Sequence, residues 1–181
     1  MKMNVPNFLT ILRMCMVPVF VIFLLADVLG PSDQYVAAAL FILASMTDWL
    51  DGYLARKNHQ VTVFGKFMDP LADKLLVCSA LICLIQLGQL PAWVVIVIIS
   101  REFIISGFRL VAAERGIVIA ASYWGKFKTV SQMIMVILLL FDFGGIFTTI
   151  SQIFIYLSVI LTVISLVDYI YKNRNVLKDV R

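Results

Sequence analysis

Asp48-Trp49-Leu50-Asp51-Gly52-Tyr53-Leu54-Ala55-Arg56 is followed, eight residues on, by Gly65-Lys66-Phe67-Met68-Asp69-Pro70-Leu71-Ala72-Asp73. Four carboxylates therefore lie against long apolar runs, where an ionised group is expensive to hold and marks a site of function. Asp48 and Asp51 are three residues apart and Asp69 and Asp73 four apart, so on two helices each pair shares a face. If the two faces meet, four carboxylates converge. Neither Cys nor His accompanies them, and an all-oxygen set of this kind suits hard cations such as Mg²⁺, Mn²⁺ or Ca²⁺ rather than zinc. Gly65, Asp69 and Asp73 line one stripe, while Gly52, Ala55 and Gly65 are small enough for a second backbone or a bulky ligand to approach. The purely structural alternative is a buried ion-pair cluster of the four acids with Arg56, Lys66 and Lys74.

Outward from this segment, 62% of the 181 residues are hydrophobic and 14% are charged, with a mean hydropathy of +0.99. That composition belongs to the membrane class, and the length suits a single domain over 1–181. The formal net charge of +4 does not indicate nucleic acid, because the basic residues are spread between apolar spans with no basic run interleaved with aromatics. Cys15, Cys78 and Cys83 are odd in number, show no C-x-x-C spacing and read as small core residues. Lys2 ahead of the run Met14 to Leu29 imitates a secretory signal, but Arg13, the length of the run and the lack of a small-x-small site favour a retained first span.

Six apolar spans can be drawn, at about 7–29, 35–56, 64–88, 92–112, 124–143 and 146–171, each near the roughly 20 residues that cross a bilayer. Three of their connections, Gly30-Pro31-Ser32-Asp33, Gly88-Gln89-Leu90-Pro91 and Asp142-Phe143-Gly144-Gly145, carry turn residues and no Lys or Arg. All 15 basic residues fall at the opposite ends. The positive-inside rule then predicts an all-α, integral membrane protein with six transmembrane helices and both termini cytoplasmic. A third span beginning near Phe64 puts Asp73 about 13 Å along it, within the cytoplasmic leaflet. A lipid headgroup and a water-soluble reactant can meet at that depth.

The acidic segment matches D-x-x-D-G-x-x-A-R-x8-G-x-x-x-D-x-x-x-D at every fixed position and resembles the signature of the CDP-alcohol phosphotransferases. The resemblance implies an enzyme of the cytoplasmic membrane, its site facing the cytoplasm, that transfers a phosphatidyl or similar group from a CDP-linked donor to an alcohol and releases CMP. It implies two divalent ions, Mg²⁺ or Mn²⁺, held by Asp48, Asp51 and Asp69, with Asp73 as general base and also within reach of a metal. It also implies a cytidine nucleotide pocket of Asp48, Asp51, Gly52, Ala55, Arg56 and Gly65, and assembly as a homodimer. Many members begin with a P-N-x-x-T-x-x-R stretch like Pro6-Asn7-Phe8-Leu9-Thr10-Ile11-Leu12-Arg13, which places Asn7 and Thr10 beside the nucleotide. Without the resemblance, Asn7 reads as an N-cap and Arg13 as an interfacial anchor.

A second region carries chemistry. Arg101 lies too deep in a span to be a loop charge and needs an anionic partner, which in a purely structural account is Glu102. Yet Arg101, Arg109, Lys126 and Lys128 outnumber the nearby acids, and phosphate is a natural ligand for such a group. Arg101-Glu102-Phe103-Ile104-Ile105-Ser106-Gly107-Phe108-Arg109 and Gly125-Lys126-Phe127-Lys128-Thr129 resemble the branch of the family whose acceptor is glycerol 3-phosphate and whose donor is CDP-diacylglycerol. Rival acceptors are inositol phosphate, serine and phosphatidylglycerol. A rival of another class is a divalent-cation transporter, although no charged residue continues a path from the acids toward the outer loops. Gly125-Lys126-Phe127 lacks the rest of a Walker A loop, and His59 reads as a solvated loop residue.

Overall fold

Each expected apolar run between turn residues folds as a helix. A computed structural model describes residues 5–26, 28–57, 63–114, 116–117, 119–120 and 122–174; the side chains of residues 5, 6, 31, 48–57 and 63–67 lie outside that description. The helices are α1 (Val5–Leu25), α2 (Asp33–Lys57), α3 (Val63–Gln86), α4 (Ala92–Glu114), α5 (Tyr123–Phe141) and α6 (Ile146–Asn173), with a short 3-10 turn at Gly30–Ser32. The described residues contain no strand, and the fold they form is all-α. His59 lies outside the described residues.

Among the described residues, three helical segments are long and apolar enough to cross a bilayer by themselves: Asn7–Leu25, Tyr123–Phe141 and Ile146–Asn173. The others fall short for a chemical reason. α3 carries Asp69, Asp73 and Lys74, α4 carries Arg101, Glu102, Arg109 and Glu114, and the described apolar part of α2 ends at Thr47.

The chain divides into two compact units, Met1–Gln89 and Leu90–Arg181. In the first, α1 packs against both α2 and α3. One stripe of α1 is buried along its whole length, through Asn7, Thr10, Arg13, Val17, Phe20 and Leu24, at the three- and four-residue steps of a helix face. The stripe is polar at its beginning and apolar beyond, where Phe20 meets Phe41 with ring centroids 6.0 Å apart. Fully buried Ala37, Ala38, Ala44, Ala72 and Ala80 let the three backbones come close. Asn7 is inside α1 rather than at its cap, and Arg13 is wholly buried rather than an interfacial anchor; the helix starts earlier than an N-cap at Asn7 requires. Cys83 is a core residue as read, whereas Cys15 is exposed on the outer flank of α1 and Cys78 is half-buried; none forms a disulfide.

The turn after α3 shows why Gly88 is there. Gln89 N donates to Leu84 O and Gly88 N to Ile85 O, the two bonds of a Schellman cap, with Gly88 at φ +72°. A Cβ at that φ costs about 1–2 kcal/mol. Gly88→Ala should therefore lower the thermal unfolding midpoint in detergent without altering turnover at temperatures where the protein is folded; an unchanged midpoint would show that the turn relaxes freely.

In the second unit, α6 packs against α5 and α4. Its inner stripe is Ser151, Ile155, Ser158, Thr162, Ser165 and Tyr169, and its outer face exposes Ile153, Tyr156, Ile160, Val163 and Val167. An apolar exterior over a hydroxyl-lined interior is the reverse of a water-facing helix and suits lipid. The serine and threonine hydroxyls of the stripe are satisfied within the protein: Ser131 and Ser158 bond at 3.0 Å, and Thr162 and Ser151 donate to carbonyls one turn back. Ser122 caps α5 by accepting a hydrogen bond from Gly125 N at 3.1 Å.

Candidate active site

Within the first unit, the polar start of α1 meets the acidic stripe of α3. Thr10 Oγ1 donates to Asp69 Oδ1 at 2.5 Å, across 59 residues of sequence. Asp69 and Asp73 are both half-buried and one turn apart on α3, so they share a face as the spacing predicts. α3 continues through Pro70 without ending there. Asp48, Asp51, Gly52, Ala55 and Arg56 lie in α2 and Gly65 lies in α3, but their side chains are outside the described set. The convergence of all four carboxylates and the remaining nucleotide-pocket contacts therefore fall outside the described residues. Among the described residues, no three Asp, Glu, His or Cys side chains group together. The donor set that is described is nonetheless of the right kind: two carboxylates on one face, oxygen only, suited to a hard divalent ion.

Within the second unit, the four expected phosphate-binding cations separate into two pairs. Arg101 and Lys128 are buried and meet on a single acceptor atom, Glu102 Oε1, at 2.9 Å from Arg101 Nη1 and 2.5 Å from Lys128 Nζ. Arg101 Nε also donates to Ser165 Oγ at 3.1 Å. Gly125 makes room for this guanidinium, since a Cβ there would sit 3.2 Å from Nη2. Two cations thus converge on one carboxylate at the inner side of the helices. The structural reading of Glu102 as partner to Arg101 thus holds, and it extends to Lys128.

Arg109 and Lys126 are exposed and lie over aromatic rings instead. The Arg109 guanidinium is 5.9 Å from the centroid of Tyr169, and Lys126 Nζ is 5.3 Å from that of Tyr123. Both rings line one cavity of about 370 Å³, shared with Ser122, Lys172 and Asn173. The Tyr169 hydroxyl is buried and makes no hydrogen bond, and Lys172 pairs with Asp168 at 2.7 Å. Sequence reasoning passed over Tyr169 and Ser165. The signal available for both was their place on the buried α6 stripe, which gives position but not partner.

A family profile described as CDP-alcohol phosphatidyltransferase matches residues 3–164, across both units. A Bacillus subtilis protein named CDP-diacylglycerol–glycerol-3-phosphate 3-phosphatidyltransferase is 46% identical, the match covering 97% of each chain. A Haemophilus influenzae protein of the same name is 41% identical over 99% of this chain and 98% of its own. A Mycobacterium tuberculosis protein named probable phosphatidylglycerophosphate synthase is 43% identical over 92% of this chain and 80% of its own.

Proposed function

The chain belongs to the CDP-alcohol phosphatidyltransferase family, and from that premise we propose that it transfers the phosphatidyl group of CDP-diacylglycerol to sn-glycerol 3-phosphate, yielding phosphatidylglycerophosphate and CMP. The near full-length identity to relatives bearing that name carries the reading. The complete signature from Asp48 to Asp73 and the excess of cations between Arg101 and Lys128 support it.

In this reading the whole of 1–181 is one catalytic membrane domain of six spans. Both termini and the acidic segment face the cytoplasm at the cell membrane, as the placement of the basic residues favours. Asp48, Asp51, Asp69 and Asp73 hold two divalent ions, Mg²⁺ or Mn²⁺. Such ions neutralise the donor's pyrophosphate and orient nucleophile and leaving group. Asn7, Gly52, Ala55, Arg56 and Gly65 border the cytidine nucleotide together with Asp48 and Asp51. Asp73 takes the proton of the acceptor hydroxyl; that oxygen bonds to the phosphorus bearing the diacylglycerol, the bond from that phosphorus to CMP breaks, and CMP departs. Arg101, Arg109, Lys126 and Lys128 attract and orient the acceptor's phosphate, Arg109 and Lys126 from the exposed side and Arg101 and Lys128 from the buried side. Assembly as a homodimer follows the family resemblance.

Product analysis by lipid mass spectrometry tests the acceptor. Purified protein given CDP-diacylglycerol and an equimolar mixture of glycerol 3-phosphate, inositol phosphate, serine and phosphatidylglycerol should make phosphatidylglycerophosphate; a different predominant product would overturn the acceptor assignment. Arg109→Ala should raise KM for glycerol 3-phosphate by about 10- to 100-fold, the usual worth of a charged hydrogen bond, and leave kcat nearly unchanged. An unaltered KM would move the phosphate away from this guanidinium.

A further inference from the structure

We propose that Thr10 is a positioning residue for the metal centre, holding the Asp69 carboxylate in the orientation that receives the divalent ion, and that it is not a donor to the nucleotide. This rests on the reading of Asp69 as a metal ligand given above.

Three observations on α1 and α3 converge on it. The Thr10 side chain is fully buried, and its hydroxyl is directed at Asp69 Oδ1. A hydroxyl has a single proton to give, so one committed to a carboxylate is withdrawn from a bound ligand. A helical threonine has only two well-populated χ1 rotamers, so the oxygen has few places to be, and the one it occupies faces Asp69. The backbone is in turn held by the same helical stripe, where Val17, Phe20 and Leu24 are buried against the first unit's core. A bond from this donor to Oδ1 restrains the carboxylate's rotation and leaves Oδ2 for the ion. Groups that hold a ligand in this way typically change metal affinity 10- to 100-fold when removed.

The test measures Mn²⁺ binding to the detergent-purified, nucleotide-free protein by electron paramagnetic resonance of the free ion, alongside KM for CDP-diacylglycerol at saturating metal. Thr10→Val, which removes the donor at nearly constant volume, and Thr10→Ala should each weaken Mn²⁺ binding by about 10- to 100-fold. Thr10→Ser should bind within a few-fold of the parent, and KM for CDP-diacylglycerol at saturating metal should be unchanged in all three. Metal-free unfolding midpoints serve as the fold control, and the two donor-lacking variants give independent chances of a folded protein. Parental Mn²⁺ affinity in Thr10→Val or Thr10→Ala, with binding lost in Asp69→Asn, would overturn the inference alone. A raised KM for CDP-diacylglycerol at unchanged metal affinity would also overturn it and return Thr10 to the nucleotide. Parental Mn²⁺ affinity in Asp69→Asn itself would instead remove the reading on which the inference stands.

Discussion

Replacing Asp73 by asparagine should lower kcat by about 10²- to 10⁴-fold, the usual contribution of a positioned general base, while a CDP-linked lipid continues to bind. Asparagine keeps the size of the side chain and one oxygen, so packing on α3 is preserved, but its amide cannot accept the acceptor's proton. Asp73 suits that task by position: it is half-buried, one turn beyond Asp69 on the same face, and next to half-buried Lys74. Steady-state kinetics with a parallel binding measurement for CDP-diacylglycerol would decide it. Turnover near the parental rate would remove the base assignment. Loss of metal and nucleotide binding together with turnover would make Asp73 a metal ligand first.

Glu102→Ala should be the most damaging substitution in the second unit. It leaves Arg101 and Lys128 buried without the one carboxylate oxygen that both contact, and breaking a buried pair by removing one partner typically costs about 3–5 kcal/mol. The same three residues should respond differently to simultaneous neutral replacement: Arg101→Met, Glu102→Leu and Lys128→Met together remove the charges with their desolvation cost, and should restore much of the stability while abolishing response to glycerol 3-phosphate. Thermal unfolding in detergent and an acceptor titration on each variant separate the two effects. A stable Glu102→Ala protein would mean that solvent or substrate phosphate, rather than Glu102, neutralises these cations.

The fold was readable because apolar runs of bilayer length alternate with Gly, Pro and Asp turns, and each expected span coincides with a helix to within a few residues. Partnership was less readable than periodicity. Asn7, Thr10 and Arg13 stand out as a polar stripe from spacing alone, yet the bond from Thr10 to Asp69 depends on how α1 leans on α3, and nothing local to residues 7–13 encodes that. Arg101 announced a need for an anion, and its neighbour Glu102 was an available answer; that Lys128 shares the same oxygen follows only from the packing of α5. Cys15 failed for a related reason: in a chain whose exterior is as apolar as its core, an apolar run does not say which face turns inward.

CMP release reports a metal-dependent phosphatidyl transfer at its leaving group. Detergent-purified protein supplied with CDP-diacylglycerol, glycerol 3-phosphate and Mg²⁺ should release CMP, stop when the metal is chelated, and stop when glycerol 3-phosphate is omitted. Folded protein that releases no CMP under these conditions, or releases it equally without acceptor or metal, would rule out a metal-dependent transfer to glycerol 3-phosphate.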